Sequence, residues 1–241
     1  MRYLLLMELK LLLRKRITAF SVLGVPVALA AVTLFGERPE EPAVWGRILA
    51  SNVQLLTVLS TYLVTLTVFT ARRQSLVLKR LRTSSLSDVA IFAGVLAPVA
   101  VVGLGQAVAF LGVAMLVGAP APVSVLPVVV GVLLCVTVAT ALGVATACLS
   151  RSVEVTQVTG APVAMAGVAG LFLTQASSET AKALGLALPL TGPADLVARG
   201  WSAGVTVGDV PVVPLDLASA VVWLVVAGVV VSRAFRWEPR S

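Results

Sequence analysis

Six apolar runs divide the chain, separated by stretches that are polar or mixed. They cover Ile17 to Phe35, Val53 to Phe69, Val89 to Val117, Val125 to Leu149, Val155 to Leu173 and Leu217 to Val231. A helix needs roughly 20 consecutive apolar residues to cross the hydrocarbon core of a bilayer, so the pattern predicts six spans. The runs are rich in valine, yet backbone groups in lipid must pair within their own segment, and this favours helices over open strands. The expected fold is an all-α integral membrane protein, one transmembrane domain over 1–241, with spans at 17–35, 53–69, 89–117, 125–149, 155–173 and 217–231. The third and fourth runs exceed the bilayer's need, and tilting, a kink at Pro98 or protrusion into water would absorb the excess.

The connections, taken alternately, differ in charge. Arg2, Lys10, Arg14, Lys15, Arg16, Arg72, Arg73, Lys79, Arg80, Arg82, Arg151, Arg233, Arg236 and Arg240 fall on one side; Arg38, Arg47, Lys182 and Arg199 fall on the other. Cytoplasmic loops carry the excess of Lys and Arg, so the first set and both termini are expected inside. The acidic residues Glu37, Glu40, Glu41, Glu179, Asp195, Asp209 and Asp216 lie outside on this assignment. In 1–16 the basic cluster follows the apolar residues, the reverse of a signal peptide. An interfacial helix fits instead, with Leu4, Leu5, Leu9 and Leu12 toward lipid and the basic heads at phosphate level.

Composition sharpens the class. Hydrophobic residues make up 59% of the 241-residue chain and charged ones 12%, with a mean hydropathy of +1.03, which excludes an ordinary water-soluble domain. The two cysteines, Cys135 and Cys148, sit in one apolar run without CxxC spacing and read as small core residues. Histidine is absent, which removes Ser-His proteolysis and HExxH zinc chemistry; no metal site or other catalytic residue is expected. No GxxxxGK[ST] phosphate loop occurs, so any ATP hydrolysis belongs to another chain. Nucleic acid is not among the expected partners; the lipid bilayer is.

The segment 71–87 concentrates charge between the second and third runs. Positive-inside bias alone accounts for basic residues there. At 100° per residue, Val77, Leu78 and Leu81 nevertheless fall on one side and Arg73, Lys79 and Arg80 on another, a short amphipathic helix that Ser84, Ser85 and Ser87 would end before Asp88. "LKRLRTSSLS", Leu78 to Ser87, resembles the cytoplasmic segment after the second span in permease subunits of type-2 family ABC exporters, where a run R-L-x-A-T-P-L-S stands. "ATACLSRSVEVTQVTGAPV", Ala145 to Val163, is similar to that family's link between the fourth and fifth spans, and "ALPLTGPADLVARG", Ala187 to Gly200, to its last extracellular loop. The resemblance covers essentially the whole chain. It departs where the family commonly has an acidic residue, a glycine and a proline and this chain has Gln74, Leu76 and Ser85.

The resemblance implies a transporter subunit rather than an enzyme. It acts as a dimer, by expectation a homodimer, with a separate ATPase that carries ATP and Mg²⁺, and it exports an apolar or amphipathic substrate, such as a drug or antibiotic, across a bacterial plasma membrane. It also implies that Val77, Leu78, Lys79, Arg80, Leu81 and Arg82 form a coupling helix resting on the ATPase, with Arg151 and Glu154 of the fourth loop beside it.

Along the second run, Gln54, Thr57, Thr61 and Thr65 recur at three- and four-residue steps on one helix face. Such a stripe either lines a polar passage or bonds across a helix interface. The resemblance favours the passage, because the family's second and fifth spans flank a central cleft, and Gln157 and Thr159 join the candidates from the fifth run. No ionisable residue lies deep within any expected span, which weighs against a proton-relay carrier. Gln106, in the third run, needs a bonding partner in lipid. The extracellular stretch 176–213 is either re-entrant, two short helices dipping into the outer leaflet with Ser178 as a cap, Pro193 in a first turn and Gly200 as a stop, or a solvated surface loop. A rival reading from another class is a non-transporting sensor or assembly scaffold that binds a partner through the basic loop.

Overall fold

The structure is a computed structural model and describes residues 24–36, 39–77, 87–202, 204–207 and 212–235. Its helices are α1 (Val25–Phe35), α2 (Pro42–Gln74), α3 (Asp88–Val117), α4 (Val125–Leu149), α5 (Thr156–Leu173), α6 (Glu179–Ala187), α7 (Thr191–Ala198) and α8 (Val212–Ala234). Five of them, α2, α3, α4, α5 and α8, are long and apolar enough to cross a membrane, which makes this a multi-pass membrane protein by length and composition. Of the expected first span, 17–35, the described part is α1. The expected interfacial helix, 1–16, and the coupling residues Leu78, Lys79, Arg80, Leu81 and Arg82 lie outside the described residues.

Helix α2 organises the bundle. It runs for 33 residues, well beyond the apolar run Val53 to Phe69, and is the most enclosed of the five. Pro42 starts it at a position where a missing N–H costs nothing, and Arg72 and Arg73 stand in its last turn, where cations meet the negative end of the helix dipole. In mid-course, Thr57–Tyr62 forms a π-helical segment. Two neighbours approach there on glycine: a Cβ on Gly103 of α3 would lie 2.5 Å from Thr61 Oγ1, and one on Gly143 of α4 would lie 2.7 Å from Thr65 Cβ.

Packing on α2 divides at this segment. Trp45, Leu49, Val53 and Leu56 join Phe110, Val132, Val197 and Trp201 in one cluster. Tyr62, Leu66 and Phe69 join Ile91, Leu142 and Leu190 in another, closed by the tilted and edge-on rings of Phe69, Phe92 and Phe235 with centroids 5.1 to 6.1 Å apart. Cys135 and Cys148 are buried, one in each cluster. Side chains such as Val108 on α3, Phe172 on α5 and Val225 on α8 stay exposed and present apolar faces suited to lipid.

The stretch after α5 holds the two short helices α6 and α7. Every residue of α7 is buried, wedged against α2, α4 and α8, which excludes a solvated loop for this part. Gly200 follows α7, and its carbonyl accepts from Ser124 N at the start of α4 (3.1 Å).

Two leucines adopt left-handed backbone, Leu76 just past the end of α2 (φ 56°) and Leu190 just before α7 (φ 69°). This conformation costs a non-glycine residue roughly 1–2 kcal/mol. Leu76 is 37% exposed and Leu190 only 2%. Leu76→Gly is therefore expected to stabilise the protein by about 1 kcal/mol. Leu190→Gly should destabilise it, because losing a buried leucine side chain costs about 2–5 kcal/mol. Thermal unfolding of the two purified variants checks the opposite signs.

Candidate functional site

At the Arg47 end of α2 a cavity of about 500 Å³ opens between α2, the end of α5 and α7, with Val32 of α1 on its wall. Arg47, Ser51 and Gln54 line it at four- and three-residue steps, hence from one face of α2. At about 1.5 Å of rise per residue, the first and last stand roughly 10 Å apart along the axis. Arg47 is exposed at the mouth, and Gln54, 1% exposed, forms the floor. Gln54 Nε2 donates to the carbonyl of Gly167 (2.8 Å) and to Thr191 Oγ1 (3.0 Å). Its Oε1 has no hydrogen-bond partner among the described residues.

The facing wall is α7, contributing Thr191, Ala194, Asp195 and Ala198. Thr191 meets Gln54, while the carbonyl of Ala198 faces Gly46, so α7 runs antiparallel to α2. Asp195 therefore sits between floor and mouth. Thr174 and Gln175 close one side, and Val44, Ile48 and Leu171 supply apolar surface.

Asp195 belongs to a buried ionic cluster that joins α7 to α8. Arg199 Nη2 donates to Asp195 Oδ2 (2.7 Å) and to Val205 O (3.1 Å), and Arg199 Nε donates to Asp216 Oδ2 (2.8 Å). Val205 N donates to Asp195 Oδ1 (2.9 Å). Burial pushes the Asp195 carboxyl above its ordinary value; Arg199 opposes this, but its guanidinium is shared with Asp216. Asp216 is 0% exposed and lies within α8. The sequence reading placed it outside the last span because the apolar run begins at Leu217. Asp216 stands in the first turns of α8, near the end of the helix rather than deep within it.

The opposite end of α2 is clamped. Arg73 is 1% exposed, and its guanidinium donates to the carbonyls of Cys148 (3.3 Å) and Ser150, at the C-terminus of α4. A guanidinium there satisfies carbonyls that have no partner within their helix. Gln74 Oε1 accepts from Val153 N (3.2 Å) in the α4–α5 connection. Arg73 was expected on the solvated face of an amphipathic segment. The structure corrects this: residues 71–74 complete α2, and α4 ends where the Arg73 side chain passes.

The remaining expected residues fall in three places. Thr57, Thr61 and Thr65 are buried inside the subunit; Thr57 and Thr65 donate to the carbonyls of Val53 (2.6 Å) and Thr61 (2.7 Å) on their own helix. Of that stripe, Gln54 alone lines the cavity. Gln157 is exposed and Thr159 half-buried in the first turns of α5, the latter donating to Val155 O (2.9 Å). Arg151 and Glu154 are exposed in the α4–α5 connection, and hydrogen bonds from Ser152 and its own backbone hold the Glu154 carboxyl below its usual range. Val77 is half-buried. Gln106 finds its partner in Ser60, whose hydroxyl donates to Oε1 (2.8 Å). The signal that could have found the cavity was the 47, 51, 54 spacing continued by Thr191 and Asp195 four residues apart.

Compared with protein-family models, curated proteins and solved structures, the chain matches none.

Arg199→Leu strands two buried carboxylates and is expected to cost about 3–5 kcal/mol of stability. The triple variant Arg199→Leu, Asp195→Asn, Asp216→Asn should recover most of that loss in thermal unfolding. The folded protein also takes up a proton at Asp195 more readily than the unfolded chain, so stability should fall as pH rises from 3.8 toward the raised folded value. Asp195→Asn should flatten that slope.

Proposed function

We propose that the chain is the membrane-spanning permease subunit of an ATP-driven exporter of the type-2 ABC family. On this reading it has six spans with both termini in the cytoplasm of a bacterium. It works as a dimer with a separate ATPase that binds ATP and Mg²⁺, and it releases an apolar or amphipathic substrate by alternating access. The observation that carries the proposal is the clamp of Arg73 and Gln74 on the α4 terminus and the α4–α5 connection. The basic segment thus follows in sequence on a junction where two connections are joined, as a lever needs if a partner is to push both. Helix α2 carries that junction at one end and the cavity floor and mouth toward the other, so motion at the clamp has a continuous path to the cavity. The exposed Val158, Met165 and Phe172, at seven-residue steps on α5, offer an apolar face for the second copy.

The chain is to be purified gently from its native membrane, with and without the changes Arg80→Glu and Leu81→Asp. A stoichiometric ATPase that is lost in the variant is expected. Recovery without an ATPase, under conditions that preserve a known exporter complex, would contradict the proposal.

A further inference from the structure

We infer that the cavity between α2, α5 and α7 is a binding site for an amphiphile with a primary amine head, held by Gln54 Oε1 and the Asp195 carboxylate. Three observations lead there. The volume, about 500 Å³, lies within the range of about 300–1,000 Å³ typical of small-molecule sites, and the lining pairs apolar Val44, Ile48, Leu171 and Ala194 with a few polar groups. Among the described residues, the deep side-chain atom of the lining that has no partner is an acceptor. Both N–H groups of Gln54 are engaged, by Gly167 and Thr191, whereas its buried Oε1 is not engaged by any described residue. A buried acceptor without a donor is costly, and a ligand that brings N–H removes the cost.

Charge gives the sign. Asp195 and Asp216 share Arg199, and Asp216 Oδ1 has no partner among the described residues. A cation beside Asp195 offsets the burial that favours its neutral form and holds the carboxylate charged. Arg47 also lines the cavity and opposes a cation, but it is exposed at the mouth, where water screens it. Asp195 is 6% exposed, and there a charge interaction is several times stronger than in water. Asp195 also stands about a turn from Thr191, on the wall facing Gln54, so one ammonium head with three N–H donors suits both acceptors.

The idea that this ligand is the exported cargo rests on the exporter reading; the binding does not. The test uses the purified full chain in phosphatidylcholine nanodiscs and measures binding of radiolabelled dodecylamine. Saturable binding is expected, displaced by unlabelled dodecylamine but not by laurate or dodecanol. It should weaken at least tenfold in Asp195→Asn and in Gln54→Leu. Ser51→Trp, at a half-buried wall position where bulk fills the cavity at the loss of the hydroxyl's bond to the Arg47 carbonyl (2.8 Å), should abolish binding in a protein that still elutes as a folded species. Adding phosphatidylethanolamine identifies the source of the amine: competition points to a lipid headgroup, and its absence to a free amphiphile. Absence of saturable binding to the wild type, equal displacement by laurate, or undiminished binding in Ser51→Trp would overturn the site, whatever the ATPase experiment finds.

Discussion

The constraint on which the rest of the structure depends is that polar groups within an apolar bundle must find their partners inside the protein. Helix α2 concentrates them. Gln54 reaches Gly167 and Thr191, Ser60 reaches Gln106, Tyr62 reaches Thr146 and Gly160, and Arg73 reaches Cys148 and Ser150. These bonds tie α2 to α3, α4, α5 and α7 in turn. Hydrocarbon offers no substitute for them, so the position of α2 sets that of its neighbours. Its enclosure follows from the same requirement, and α5 and α8 are the long helices left most exposed.

Continuity along α2 gives this arrangement its mechanical sense. The cluster around Trp45 and Trp201 and the one around Tyr62 and Phe69 meet at the π-helical segment. Such segments are local departures from the regular hydrogen-bond ladder and are frequent at functional sites. With the cavity on one side of it and the Arg73 clamp on the other, a change in register there would move the floor relative to the clamp. The ionic cluster of Asp195, Arg199 and Asp216 then acts as the counterpart on α7 and α8. It fixes the facing wall while α2 forms the other.

Much of this architecture was legible in the sequence, and the failures have physical reasons. Long uninterrupted runs mark their helices well: α4 begins and ends with Val125–Leu149, and Ser87 with Asp88 signals the start of α3, where the serine hydroxyl accepts from Ala90 N. Hydropathy truncated α2 because Arg47, Ser51 and Asn52 look like a loop; on a helix they instead line a cavity or bond across to α1. Arg73 looked solvated because it stands beside Arg72, and nothing local reveals that a helix terminus lies over it. Asp216 was placed in water for the converse reason, since its partner Arg199 is seventeen residues away on another helix. Leu76 occupies the left-handed position where the resembled family commonly has glycine, a departure noted in sequence whose backbone consequence only coordinates reveal.

The central claim is that one helix crosses the membrane with the cavity mouth at one end and the basic junction at the other. Arg47 and Ser75 lie roughly 42 Å apart along a helix that rises about 1.5 Å per residue, more than the hydrocarbon core of about 30 Å. Single cysteines at positions 47, 61 and 75, in a chain with Cys135→Ala and Cys148→Ala, can be probed with a membrane-impermeant maleimide. The account predicts labelling at 47 in intact cells, at 75 only after permeabilisation, and at 61 in neither. Labelling of 47 and 75 from the same side would contradict it.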